Sequence, residues 1–159
     1  MRVRDVILTG VLIVALVMSL SAQSRPGDGD DNVLEVITQH EDTTEGYAYF
    51  GTLPEFAEIL SRDENLAFFV PHDDVLEGLD PTELTAEEIV DMFNAHVAMG
   101  IATQHRIELI TWFRTVDGER VDVTVDDDTV ILNDDVEVVE AVAASNGIVY
   151  IIDGSLASP

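Results

Sequence analysis

The segment ASNGIVYIID, residues 144–153, combines a tight turn with an uninterrupted apolar strand. Asn146-Gly147 is a dipeptide that favours a hairpin turn, because both residue types tolerate a positive φ. Residues 148–152 carry apolar side chains on both faces, which predicts a strand in the middle of the core. We therefore expect the rest of the domain to be organised around this strand.

Three more strands are predicted before this segment. Residues 121–125 alternate valine with Asp or Thr, so one face of the strand should be buried and the other solvated. Residues 126–128 are predicted to form a turn, and residues 129–133 return as a second strand. Residues 136–144 form a third strand, which we expect to be bulged because the alternation slips near Val139. The pattern predicts a run of antiparallel strands.

Helical patterns occupy the first half of the chain. The clearest helix is predicted at residues 85–97, where Thr85 and Glu88 form a capping-box pattern and apolar residues recur at four-residue spacing. We expect Gly100 to end it. Two shorter helices are predicted at residues 33–39 and 52–61.

Between these helices, a compact apolar run at residues 65–70 predicts a buried strand that Pro71 ends. Asp73 and Asp74 are then expected to cap a short helix that continues through Leu79. Helices followed by antiparallel strands indicate an α+β fold, with the helices gathered on one side or end of the sheet.

Three segments, in this order, resemble the fasciclin domain. They are FFVPHDDVL at residues 68–76, NAHV at residues 94–97, and the segment at residues 144–153. The resemblance covers residues 33–159. It implies a wedge-like antiparallel β-sandwich with helices packed along one edge, and a role in cell adhesion or matrix binding without catalysis. The signature residues that it marks as structural are Pro71, Asp73, Asn146, Gly147 and Asp153.

The sequence departs from the family pattern at three places. Ala95 stands where the family often has Tyr, and His72 where it often has Thr. The pair Ala141-Val142 replaces a frequent Asp-Ile. In animal members the Tyr-His and Asp-Ile segments are implicated in integrin binding, so we do not extend integrin binding to this chain.

The charge is the most unusual property of the sequence. It has 32 acidic residues against 7 basic ones, all of them Arg, for a net charge of -25. Such a charge repels nucleic acid and anionic lipid, and concentrated cations would screen its self-repulsion. We interpret the surface as adapted to high salt; the alternative is an acidic secreted protein without that adaptation. Because the sequence has no cysteine, it has no disulfide and no thiolate metal site.

The beginning of the chain has the pattern of an export signal. Residues 1–24 combine two arginines, an apolar run and small residues, as a signal peptide does. The alternative is an uncleaved anchor, although the apolar run is shorter than the roughly 20 residues that span a membrane. Residues 25–32 are predicted to be an acidic linker, and residues 33–159 a single domain.

His96, Trp112 and Phe113 are the candidate binding residues. The two aromatic residues fall in a segment of mixed polarity, where core packing competes with an exposed aromatic patch for a partner or a sugar. A second hypothesis is that His96 meets the loop at His72 and Asp73. The competing interpretation is a partly buried histidine whose hydrogen bonds hold the helix against the strands.

Catalysis, metal binding and cofactor binding are not predicted. No two of the four histidines have the spacing that places them on one helical face, and the acidic clusters lack the spacing of a helix-loop-helix calcium site. With 32 acids, a pair of close carboxylates has almost no specificity as a sign of glycoside hydrolysis. We therefore expect no catalytic residue, no metal and no cofactor.

The sequence thus predicts a secreted or cell-surface adhesion or matrix-binding module. Its partner would be an extracellular protein or a surface polysaccharide, and a membrane only if the N-terminal segment is retained. The alternative is a secreted protein that binds a small ligand or a polysaccharide. An enclosed apolar pocket would favour a small ligand, whereas a flat exposed patch would favour adhesion.

Overall fold

The computed structural model describes residues 30–51, 53–61, 65–77, 80–101 and 103–157. The predicted signal peptide at residues 1–24 and most of the predicted linker lie outside these residues. Within the described residues, no helix is long and apolar enough to cross a bilayer. The strands are β1 (Leu66–Pro71), β2 (Val97–Met99), β3 (Trp112–Arg114), β4 (Arg120–Asp126), β5 (Thr129–Leu132), β6 (Val136–Ala144) and β7 (Gly147–Ile152).

The seven strands form one mixed sheet in the order β2-β1-β7-β6-β5-β4-β3. Strand β7, the centre of the predicted fold, is buried along its whole length, as expected. It pairs antiparallel with β6 and parallel with β1. The α+β prediction is confirmed, but the parallel pair was missed because the two strands are far apart in sequence. The predicted bulge in β6 is confirmed by a register shift between Val138 and Glu140.

The two outer strands of the sheet approach each other, so the sheet is nearly closed. An isolated antiparallel bridge joins Ala98 of β2 to Thr115, the residue after β3. Next to it, the amide of Val116 donates to the carbonyl of Val97 at 2.8 Å. This contact satisfies backbone groups that an open sheet would expose at its edges.

Short helices pack against the sheet, all but the last on one face; Ile107 of the last helix belongs to the core cluster on the other face. They are α1 (Val33–Gln39), α2 (Thr44–Phe50), α3 (Pro54–Leu60), α4 (Asp73–Leu76), α5 (Ala86–Ala95) and α6 (Gln104–Ile107), with 3-10 turns at Glu41–Thr43 and Pro81–Glu83. The predicted capping box is confirmed in α5, where the Thr85 side chain accepts from the Glu88 amide and the Glu88 carboxylate accepts from the Thr85 amide. A second box, Asn32 with Glu35, caps α1.

Two local predictions were wrong. Helix α5 ends at Ala95, and the segment before Gly100 is strand β2. Helix α4 ends at Leu76, and its cap is the His72 side chain, whose Nδ1 accepts from the Asp74 amide at 3.2 Å. In the first case, glycine was given its common role at the end of a helix, but the residues before it pair with β1. In the second, aspartate was given its common role as an N-cap, but the His72 side chain has that role.

The turn before β7 forms where predicted, but for a different reason. Neither Asn146 nor Gly147 has a positive φ. Glycine is required at 147 because a Cβ there would overlap the backbone carbonyl of Leu66 on the parallel neighbour β1. The close approach of two backbones, and not turn conformation, therefore explains the glycine.

The core has two parts, one on each face of β1 and β7. On the helix side, Phe50, Phe56, Phe68 and Phe93 form an aromatic cluster with ring centroids 5.1–6.0 Å apart. On the other side, the curved sheet encloses a second cluster that includes Phe69 and Tyr150. Because each face of these strands meets a different layer, all their residues are buried.

Candidate functional site

The outer face of β3 and β4 carries the exposed tryptophan. Trp112 is 45% exposed and pairs across the ladder with Asp122, while Arg114 pairs with Arg120. The inward and outward positions of a strand alternate, so these four side chains share the solvent face. We refer to Trp112, Arg114, Arg120 and Asp122 as the tryptophan face.

Two arginines flank the indole ring. The guanidinium carbon of Arg120 lies 5.1 Å from the ring centroid and that of Arg114 lies 5.9 Å from it, both within cation–π range. Arg120 is fixed by Asp122, with Nη2 and Oδ1 2.6 Å apart. Arg114 donates from Nη1 to the Gly118 carbonyl at 2.7 Å. The face therefore combines an indole ring with two hydrogen-bonded arginines and one carboxylate.

This concentration of positive charge is unusual in an acidic chain. Among the described residues there are three arginines and no lysine, and two of the three arginines lie on the tryptophan face. The other is Arg106, in α6. Sequence reasoning missed Arg114 and Arg120, although Arg114 follows Trp112 by two residues, the spacing that places two strand residues on one face.

Phe113 points the other way. It is 5% exposed and stacks on Phe69 with centroids 5.0 Å apart and planes 6° apart. Phe69 in turn stacks on Tyr150 at 4.9 Å. Burial raises the pKa of Tyr150 well above its usual range, so the phenol stays neutral, and its hydroxyl donates to the Thr103 carbonyl at 2.9 Å. Of the two predicted aromatic residues, only Trp112 faces solvent.

His96 is completely buried at the end of α5. Its Nδ1 lies 2.7 Å from the Met92 carbonyl and its Nε2 accepts from the Leu156 amide at 3.0 Å, which is consistent with a proton on Nδ1. Burial lowers the pKa of His96 to about 4, partly offset by the Met92 hydrogen bond and by Asp117. The hypothesis that His96 meets His72 and Asp73 was wrong, because its ring is held by the C-terminal segment. The interpretation as a hydrogen-bonded structural residue is confirmed, but the ring is completely and not partly buried, and its bonds join α5 to the C-terminal segment and not to the strands.

The Asn146 side chain and backbone join three elements. Its Oδ1 accepts from the Val33 amide at 2.8 Å and its Nδ2 donates to the Leu60 carbonyl at 2.8 Å. Its backbone carbonyl accepts from the Leu66 amide at 3.2 Å. Asn146 therefore connects the start of α1, the end of α3 and the start of β1, a role that its turn propensity did not reveal.

The remaining signature residues also make structural contacts. Pro71 ends β1 in parallel register with Ile152. The carboxylate of Asp73 accepts from the Glu45 amide of α2 at 2.9 Å. The carboxylate of Asp153 accepts from the Glu137 amide of β6 at 2.7 Å. The two carboxylates therefore hold neighbouring elements near the ends of the central strands.

A groove lies between α3 and α5, with a volume of about 690 Å³. Its lining is mainly apolar, and it includes Leu53, Phe56, Ile59, Val90 and Phe93. A second depression of about 550 Å³ is lined by His72, Asp74, Val75, Val139 and Asp153. Neither depression is lined by Trp112.

Residues 42–158 match the family profile described as Fasciclin domain. The chain belongs to the fasciclin domain family. Fasciclin domains are adhesion and matrix-binding modules, generally non-catalytic and typically extracellular. The match begins in the 3-10 turn before α2 and includes every strand of the sheet.

Two known proteins are similar to this fasciclin domain. Transforming growth factor-beta-induced protein ig-h3 of Oryctolagus cuniculus is 26% identical over 107 aligned positions, and the match covers 64% of this chain and 16% of that protein. The solved FAS1 domain pair of the insect cell adhesion molecule Fasciclin I superposes with a TM-score of 0.64 at 15% identity, over 82% of this chain and 52% of that chain. The second similarity shows the fold. This fasciclin domain spans only a part of either relative.

Proposed function

We propose that the chain is an extracellular adhesion or matrix-binding module that contacts its partner through the tryptophan face. The observation that carries the proposal is the half-exposed Trp112 between two fixed arginines. Tryptophan and arginine are among the side chains most enriched at the energetic centres of interfaces. Their fixed geometry also reduces the entropy that binding would have to remove.

Exposed apolar side chains extend beyond this face, to the place where the outer strands β2 and β3 approach each other. Met99 is 46% exposed and Val116 is 50% exposed, and they follow the two bridged residues Ala98 and Thr115 in the chain. Leu109, just before β3, is 71% exposed. An exposed surface with an aromatic centre and apolar neighbours is better suited to a protein or a polysaccharide than to an enclosed small molecule.

The localisation follows from the same proposal. Residues 1–24 would direct export as a signal peptide, and the partner would be an extracellular protein or a surface polysaccharide. The net charge of -25 would adapt the surface to high salt, where screening lengths fall to about 3 Å at 1 M. Under those conditions, contact energies that do not depend on long-range charge, such as indole burial, would dominate binding.

The proposal is tested by capture on an array of extracellular matrix proteins and microbial surface polysaccharides, at about 0.15 M and about 1 M salt. We expect the purified chain to bind a subset of the array, and binding to persist at the higher salt. Circular dichroism at both salt concentrations tests the adaptation, because self-repulsion should destabilise the fold at low salt. Capture of nothing at either concentration, by a folded chain, contradicts the proposal.

The groove between α3 and α5 supports a second candidate function. Its volume of about 690 Å³ falls within the range of small-ligand sites, and its lining is largely apolar. A secreted protein that binds a small apolar ligand would use this groove and not the tryptophan face. Native mass spectrometry of the purified chain separates the two functions, because a bound small molecule would add a discrete mass to the folded protein.

A further inference from the structure

Four side chains with metal-binding chemistry meet away from the tryptophan face. Nε2 of His40 lies 3.5 Å from Oε2 of Glu140, and Nε2 of His72 lies 3.5 Å from Oδ1 of Asp42. Ligand atoms of His40, Asp42 and Glu140 all lie within 4.8 Å of one another. All four side chains are partly exposed, between 21% and 51%.

The fold assembles this group from three distant parts of the chain. His40 follows α1 and caps the 3-10 turn that carries Asp42, with Nδ1 accepting from the Asp42 amide at 3.3 Å. His72 lies between β1 and α4, and Glu140 lies on β6 at the register shift. A bulge redirects strand side chains, and bulges recur beside functional sites.

One of the separations matches a small coordination shell. With metal–nitrogen and metal–oxygen bonds of about 2.0–2.2 Å, two ligand atoms in a tetrahedral zinc site are separated by about 3.4 Å. The His40–Glu140 separation of 3.5 Å has this length, and the third ligand atom, from Asp42, lies within 4.8 Å of both. A small movement of exposed side chains would bring the three protein ligands to one ion, and water would fill its fourth position.

We propose that His40, Asp42 and Glu140 bind a divalent transition-metal ion of the zinc type, and that His72 orients the Asp42 carboxylate. One imidazole and two carboxylates suit such an ion, whereas calcium takes six to eight oxygen ligands. The site is independent of the tryptophan face and of the proposed adhesive role. It departs from our expectation of no metal, which considered histidine spacing along helices and not contacts between elements.

His72 has the hydrogen-bonding pattern of a positioning residue. In the tautomer whose Nδ1 accepts from the Asp74 amide, Nε2 carries the proton and faces Asp42. Outer partners of this kind fix the orientation of ligands, and their removal typically reduces metal affinity about 10–100-fold. His40 binds the ion through Nε2, so the ring proton moves to Nδ1. Nδ1 then no longer accepts from the Asp42 amide, and the long 3.3 Å capping contact is lost.

Isothermal titration of the purified chain with Zn²⁺ tests the site, in excess Mg²⁺ so that dispersed carboxylates are occupied. We expect one saturable site in the wild type. His40→Gln and Glu140→Gln should each raise the Zn²⁺ dissociation constant at least about 10-fold, and His72→Gln by about 10-fold. Glu137→Gln, which removes an exposed carboxylate elsewhere on β6, is the matched control and should leave the constant unchanged.

Circular dichroism without metal establishes that each variant is folded. If a variant fails to fold, Co²⁺ bound to the wild type provides the alternative readout, through visible absorption that Zn²⁺ should abolish by displacement. The proposal is overturned if the wild type shows no saturable Zn²⁺ site. It is equally overturned if Glu140→Gln and Glu137→Gln weaken binding to the same extent, since that result indicates nonspecific binding to an acidic surface.

Discussion

The turn and strand at residues 144–153 contrast with the hairpin of β3 and β4. In the first region, strand β7 is buried on both faces, and the Asn146 and Asp153 side chains bond neighbouring elements. In the second, buried and exposed positions alternate through β3 and the start of β4, and the exposed side includes Trp112. The family signature therefore coincides with the centre of the fold, and the proposed binding residues lie on a hairpin outside it. Resemblance in the first region predicts the architecture and says little about the partner.

The strongest test of this contrast is Gly147→Ala. A Cβ at this position would overlap the Leu66 carbonyl, and neither backbone can move without disrupting the parallel ladder. We expect a loss of more than about 4 kcal/mol in the free energy of unfolding, measured by urea denaturation.

Gly118→Ala is the matched control, in the hairpin between β3 and β4. Gly118 has a φ of +93°, but apart from its own residue and its two chain neighbours no atom lies within 4 Å of an added Cβ. Only conformational strain should therefore appear, about 1–2 kcal/mol. Equal losses at the two glycines would contradict the close-approach explanation for Gly147.

The next test compares two adjacent aromatic residues. Phe113→Ala removes a buried ring stacked on Phe69 and should reduce the free energy of unfolding by about 3–4 kcal/mol. Trp112→Ala removes a half-exposed ring and should reduce it by less than about 1 kcal/mol. Thermal unfolding of both variants measures the difference. A larger loss for Trp112 would show that its role is structural.

Asn146→Ala tests the side chain that connects α1 to the end of α3. The substitution leaves the buried Val33 amide and the Leu60 carbonyl without this partner, and each such group costs about 1–3 kcal/mol. We expect a loss of about 3 kcal/mol by urea denaturation. The neighbouring Ser145→Ala removes an exposed side chain and should change stability by less than about 0.5 kcal/mol.

Burial of His96 makes the stability of the fold depend on pH. The pKa of this histidine is about 4 in the folded protein, against an ordinary value of 6.5, so the unfolded chain binds the proton first as pH falls. Its contribution to stability is therefore complete above pH 6.5 and is progressively lost down to pH 4. The expected loss from this group is about 2 kcal/mol by about pH 5.

Protonation of carboxylates acts in the opposite direction by reducing self-repulsion, so the wild type is compared with His96→Gln. The difference in the free energy of unfolding between the two proteins isolates the histidine. It should shrink as pH falls from 6.5 to 4. A difference that is constant over this interval would mean that His96 is not held neutral by burial.

Local signals predicted the parts of the fold that depend on neighbouring residues. The capping box of α5, the buried β7 and the bulge in β6 all follow from short patterns. The parallel pairing of β1 with β7 does not, because it joins residues about 80 positions apart and leaves no local periodicity. The short β2 was missed for a related reason. We expected Gly100 to end α5, but pairing with β1 makes the segment before Gly100 a strand.

The candidate site was predictable only in part. The sequence singled out Trp112, Phe113 and His96, and the alternation along β3 then separates the exposed tryptophan from the buried phenylalanine. The backbone partners of the His96 ring are 4 and 60 residues away, and the more distant one has no sequence signature. Arg120 reaches the indole ring across a hairpin, so its role depends on the strand register.

The proposed function depends most on whether Trp112 contacts the partner. The direct measurement is capture by the array of matrix proteins and surface polysaccharides, comparing the wild type with Trp112→Ala and with Val139→Ala, which shortens a 60%-exposed valine on β6. We expect Trp112→Ala to weaken capture at least about 10-fold, as an interface anchor does, and Val139→Ala to leave it unchanged. Undiminished capture by a folded Trp112→Ala protein would contradict the proposed role of the tryptophan face.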